Sequence, residues 1–214
     1  MKLRQLLDRW TSITRDHAVP QFWPTGRRVE LLNEAAEEAA IRGRLLDTDQ
    51  LTVALAAGDP YADYPAHAWS IREIKLDGKR LQLVDREMLD ESEGDWERRT
   101  GTPVAVCEID GRLRFYPIPE QDGEAKVRAF CVPETPLDEN NLDGEPGIPE
   151  RDHKHLLDYA LSIAYLDVDA DAIDPNRAAR HEALFEHRYG PPVTAATRRR
   201  VRLHVVRRIA GHFF

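Results

Sequence analysis

The hydrophobic pattern of this chain changes period twice, from helical to strand-like and back. That order restricts the fold more than any single motif. Leu3, Leu6, Leu7, Trp10 and Ile13, continued by His17, recur at helical spacing. Pro20 and Pro24 break the pattern around an apolar Phe22-Trp23 pair. A second helix is expected from about Arg27 to Leu46, with the stripe Leu32, Ala35, Ala36, Ala39, Gly43 and Leu46. Small residues in such a stripe suit close contact between helices.

The period then shortens to two. Leu51, Val53 and Leu55 alternate with Thr52 and Ala54, and Asp59-Pro60 reads as a turn. Residues 69–76 look extended, and Asp77-Gly78 joins them to a run with Leu81 and Leu83. Asp110-Gly111 repeats the device between Pro103–Ile109 and Arg112–Ile118. Asp-Gly favours the positive φ values of a two-residue hairpin turn. A short helix is expected near Arg86–Glu91, and a last strand from about Glu124 to Val132 with Val127, Ala129 and Cys131 on one face.

Helical spacing returns at Leu156, Leu157, Ala160, Leu161, Ala164 and Val168. A further helix has Asp174 as N-cap, Pro175 in its first turn, and Gly190 before Pro191-Pro192 at its end. The expected fold class is α+β: a helical domain of about four helices, a small inserted antiparallel β unit and an extended C-terminal arm. The expected divisions are a helical domain at 1–50 plus 149–190, a β unit at 51–132, a linker at 133–148 and a basic arm at 191–214.

Charge is unevenly distributed. Residues 191–214 hold six arginines and no acid, whereas the rest holds 24 Lys+Arg against 38 Asp+Glu, a net of −14. An acidic body with a short basic tail is the main global feature. No apolar run approaches a membrane span of roughly 20 residues. Asp8 and Arg9 interrupt any signal-peptide core, which points to a chain made and kept in a cytoplasm.

The residues that could carry chemistry fail on spacing. Asp167, Asp169 and Asp171 alternate like the start of a calcium loop, but Ala172 and Ala178 stand where it needs its Gly and closing Glu. His153 and His155 are two apart, which puts them on different faces of a helix rather than around one ion. Cys107 and Cys131 lack a CxxC spacing and read as small core residues. No nucleophile elbow, phosphate loop or dinucleotide fingerprint occurs, and no catalytic residue, metal or cofactor is expected.

The tail has its own pattern. Val201, Leu203 and Val205 alternate with Arg200, Arg202 and His204, and Ile209, Phe213 and Phe214 follow. Two readings stand: a last element packed on the chain's own body, or an arm that docks on a partner. Pro191-Pro192 stiffens the exit and favours projection.

Several segments together resemble a known family. They are Trp23-Pro24-Thr25-Gly26-Arg27 leading into Leu31-Leu32-Asn33-Glu34-Ala35, the strand Leu51–Tyr64 ending at Pro65, and the Asp77-Gly78 hairpin. Trp96, Gly101-Thr102-Pro103 and Leu113-Arg114-Phe115-Tyr116-Pro117-Ile118-Pro119 follow. Ile148-Pro149 then precedes a helix with His153, Leu156-Leu157 and Tyr159-Ala160-Leu161. In order and spacing, over residues 23–190, they resemble the head-to-tail adaptors of tailed bacteriophages, also called connector, head completion or tail tubular proteins.

The resemblance implies a structural protein of the virion neck, assembled in the host cytoplasm, with no catalytic residues. It implies a homo-oligomeric ring, usually of twelve copies, beneath the portal protein. Tail or nozzle proteins would bind below, and double-stranded DNA would pass through without sequence-specific binding. It implies a C-terminal arm on the portal, here Arg198, Arg199, Arg200, Val201, Arg202, Leu203, Val205, Arg207, Arg208, Ile209, Phe213 and Phe214. The alternatives are another neck or tail-completion component, and a DNA-binding protein acting through the arginine tail.

Overall fold

The structure, a computed structural model, describes residues 1–92, 94–167 and 173–194. Two compact units emerge. Met1–Leu46 and Cys131–Pro192 form one; Asp47–Phe130 forms the other, which the chain rejoins at Val193. The class is α+β, as the change of period predicts.

The helical unit holds α1 (Leu3–Thr14), α2 (Thr25–Gly43), α4 (Leu156–Ala164) and α5 (Pro175–Tyr189), with a 3₁₀ turn at Glu150–His155 leading into α4. Their apolar stripes meet in one core containing Leu3, Leu6, Trp10, Leu32, Ala35, Ala39, Leu157, Leu161 and Phe185. Two helix ends fall earlier than periodicity suggests. α1 stops at Thr14 because Arg15 turns left-handed (φ 60°), so Ile13 is exposed and the stripe ends at Trp10. α2 stops at Gly43, where a Cβ would lie 2.9 Å from both Leu45 and Tyr189. Arg44 then turns left-handed and Leu46 already belongs to a strand. The ends of α5 follow the local signals: Asp174 accepts from the Arg177 amide at 3.0 Å, and Gly190 closes the helix at φ 87°.

Residues 133–149 are irregular, as their composition suggests, yet they are bound to the helices. The carbonyls of Leu142 and Gly144 accept from the amides of Arg4 and Leu3 at 3.0 and 2.8 Å. They satisfy two donors that the first turn of α1 would otherwise leave free. Asp143 pairs with Lys2 and Arg4 at 2.9 and 2.7 Å, and the hydrogen bond from Lys2 holds its carboxyl below the usual range. Leu137 and Ile148 are buried in the helical core. Asn33 of α2 acts toward Leu137 as a strand partner would. Its amide donates to the Leu137 carbonyl at 3.0 Å, and its carbonyl accepts from the Leu137 N–H at 2.7 Å.

The strands are β1 (Leu46–Leu55), β2 (Tyr61–Asp63), β3 (Ala68–Leu76), β4 (Lys79–Arg80), β5 (Gln82–Leu83), β6 (Thr100–Gly101), β7 (Ala105–Ile109), β8 (Arg112–Tyr116), β9 (Ile118–Pro119) and β10 (Gly123–Cys131). α3 (Arg86–Ser92) lies between β5 and β6 in sequence. One sheet has the order β1-β10-β3-β4, a second β2-β8-β7-β5, and β6 pairs with β9. Both Asp-Gly turns have positive φ at each residue, 49° and 76° at Asp77-Gly78, 50° and 75° at Asp110-Gly111. The first hairpin is short, pairing only Lys75 with Arg80 and Leu76 with Lys79. The chain then changes sheets at the buried Leu81, and β5 runs parallel to β7. β6 is likewise parallel to β9. The unit is therefore mainly a set of antiparallel hairpins closed by two short parallel pairs.

The Asn33 clamp gives a direct test. Replacing Asn33 with Ala leaves the Leu137 amide and carbonyl without their partner, and stability should fall by about 1–2 kcal/mol in urea unfolding. An unchanged midpoint would show that the segment is not held this way.

Candidate assembly surface

The groups that suggest chemistry are used in packing. His153 is buried, and its Nε2–H donates to the Ile148 carbonyl at 2.8 Å. His155 and His181 both approach Asp158, at 3.7 and 3.2 Å. Burial, followed by the nearby Arg188 and Lys154 charges, lowers the pKa of His155. Asp167 pairs with Arg27 at 3.3 Å. Asp169, Asp171 and Ala172 lie outside the described residues, and among those described no three His, Cys, Asp or Glu are placed to hold a metal. Cys107 and Cys131 are both reduced and buried. Burial pushes the Cys107 thiol up to about 11, so it has little thiolate at neutral pH.

Three buried polar clusters join elements within a unit. Asp152, 2% exposed, accepts from the Tyr189 hydroxyl at 3.2 Å and from Arg188 and Arg151 at 3.1 and 3.3 Å. Arg42 reaches Glu38 at 2.6 Å and Glu182 at 3.0 Å, with its guanidinium over the Phe185 and Tyr159 rings. In the β unit the buried Arg114 stacks 4.2 Å from the Trp96 ring centre and donates to the Glu97 carbonyl at 2.8 Å. Asp152 and Arg42 are compensated by hydrogen bonds, and Arg114 by one hydrogen bond and the Trp96 ring face.

The surface that needs another explanation lies where α1 ends and α2 begins. Asp16 accepts from the Phe22 and Trp23 amides at 2.8 and 3.4 Å. Arg28 is buried between Thr11, Gln21 and Thr25. These contacts seat Trp23 edge-on against Trp10 and Tyr165, with ring centres 5.9 and 5.8 Å away. Phe22 packs edge-on against Trp23 and is exposed, and the exposed apolar residues Ile13, Val19, Leu166 and Ile173 lie close in sequence to the residues that build this cluster, with Val19 98% exposed. Exposed apolar residues that lie together mark an interaction surface more often than scattered ones do.

Sequence reasoning found the Phe22-Trp23 pair but not its neighbours. Leu166 and Ile173 enter only because the chain returns there, where the Asp174 amide donates to the Tyr165 carbonyl at 3.0 Å. The available signal was apolar residues in loops beside Pro20 and Pro24. The expected arm residues, Arg198 to Phe214, lie outside the described residues.

The comparison with protein families agrees with the resemblance read from the motifs. A family model described as SU10 adaptor protein matches residues 1–208. No curated protein matches the chain.

The cysteine environment can be checked separately. In the native protein at pH 8, Cys107 should react with a thiol reagent at least about a hundredfold more slowly than in denaturant. Equal rates would place it at the surface.

Proposed function

We propose that this chain, which belongs to the SU10 adaptor protein family, forms a ring beneath the portal, extends the DNA channel and offers a platform to the tail. The family is one of phage head-to-tail adaptors, a structural family located at the virion neck. The observation that carries the proposal is the extent of the family match, 208 of 214 residues, covering both units and most of the tail.

The physical account begins with the ring. In a closed ring one face of a subunit meets a different face of the next. The exposed apolar residues Phe22 and Leu166, flanking Trp23 and Tyr165, would supply part of one of those faces. The acidic body would repel DNA phosphates, so the duplex slides through a channel without adhering. No helix among the described residues is long and apolar enough to cross a membrane.

The arm supplies the portal contact in this reading. Arg198, Arg199, Arg200, Arg202, Arg207 and Arg208 would meet acidic rims, while Val201, Leu203, Val205, Ile209, Phe213 and Phe214 fill apolar pockets. Repeated around a ring, a modest affinity per arm becomes tight joining.

Co-sedimentation with the cognate portal ring tests both parts. The full chain should bind, and a chain ending at Gly190 should bind at least about tenfold more weakly. Equal binding would remove the arm from the account, and no binding by either would remove the adaptor role. Phe22→Asp with Leu166→Asp should block ring formation on the portal while leaving the thermal midpoint of the free chain nearly unchanged. Rings of normal size from that variant would rule out this face.

A further inference from the structure

The first sheet of the β unit ends in two unlike edges. One is β1, ten residues long, with neither proline nor lysine to block it. Among the described residues β1 pairs with β10 alone, so its outer row of backbone groups is open to another strand. The other edge is β4, two residues that are both basic and both exposed. The second sheet has no comparable long edge, since it ends in β2 and β5, three and two residues long.

The two edges also differ in charge. β1 carries Asp47 and Asp49 and no base, whereas β4 is Lys79-Arg80. Part of this charge is engaged within the sheet. Asp47 is held by Arg128 and Arg72 at 2.8 and 3.0 Å, and Arg80 reaches Glu73 at 3.4 Å. One acid and one base are left over. Asp49 is exposed and takes only the neighbouring Gln50 amide at 2.7 Å, and Lys79 is exposed with no ion pair among the described residues. The strand order puts three strand spacings, roughly 14 Å, between the two edges, so these charges do not pair within one copy.

We infer that the β1 edge of one copy lies against the β4 edge of the next, with Asp49 beside the neighbouring copy's Lys79, so that the sheet runs on from copy to copy. This is a contact between two different faces, as a ring requires. Two β4 edges would set base against base, which excludes that pairing. β4 is only two residues long and the ion pair is exposed, so one such contact is too weak to gather free copies. It becomes effective where a portal holds neighbours side by side. The inference rests on the ring reading above and names one contact of that ring.

Charge exchange on the full-length chain tests this, with ring formation on the cognate portal followed by electron microscopy. Asp49→Lys and Lys79→Asp should each raise the protein concentration needed for rings at least about tenfold. An equal mixture of the two variants should return to within about threefold of the native chain, because every contact of an alternating ring then pairs unlike charges. The double variant should recover in the same way. Both side chains are exposed, so the thermal midpoints should stay nearly unchanged. Single variants that form rings as readily as the native chain would overturn the inference, as would a mixture no better than either variant alone. Free native protein that dimerises with protection of its β1 amides would also overturn it, since β1 would then pair with a second β1. Rings indifferent to both exchanges leave the adaptor reading standing and remove this contact, whereas a portal left bare by the native chain removes both.

Discussion

The helical unit depends on how closely α4 approaches α2. The facing stripe of α2 is Ala35, Ala36, Ala39 and Ala40, all buried. Such small side chains let a neighbouring helix come near enough for Leu156, Leu157 and Leu161 to be fully enclosed. Each of those leucines contributes about 2 kcal/mol by burial alone. α5 then closes the other side through Phe185 and Tyr189. Close packing also explains the glycine at the end of α2, because a Cβ on Gly43 would meet Leu45 and Tyr189.

From that packing the surface features follow. The segment 131–149 is held to α2 by Asn33 and to α1 by its own carbonyls, so it behaves as a strap over the helices. The join between α1 and α2 is held by Asp16 and Arg28, which fixes Trp23 in place and leaves Phe22 outside. The buried polar clusters do the opposite work, since Asp152 and Arg42 spend their hydrogen bonds inside one unit and Arg114 turns to Glu97 and the Trp96 ring.

Much of the fold was legible in the sequence where the signals are local. Asp174, Pro175 and Gly190 mark α5 because capping is a property of a few adjacent residues. The two Asp-Gly pairs mark their hairpins for the same reason. Non-local events were not legible. The need for glycine at 43 comes partly from Tyr189, and the change of sheet after Leu81 depends on a partner at Val104 that no periodicity reveals. Residues 133–149 have the composition of a linker, and only the structure ties them down. Of the candidate surface, Phe22-Trp23 was visible, but Leu166 and Ile173 become its neighbours through the return of the chain. The family was legible because its short motifs keep their order along the chain.

The most direct test of the central claim is cryo-electron microscopy of the cognate portal ring mixed with the full chain. The account predicts a closed ring of this chain on the tail-facing end of the portal, continuous with its channel. A portal that remains bare at saturating protein, or density only on its head-facing end, would contradict it.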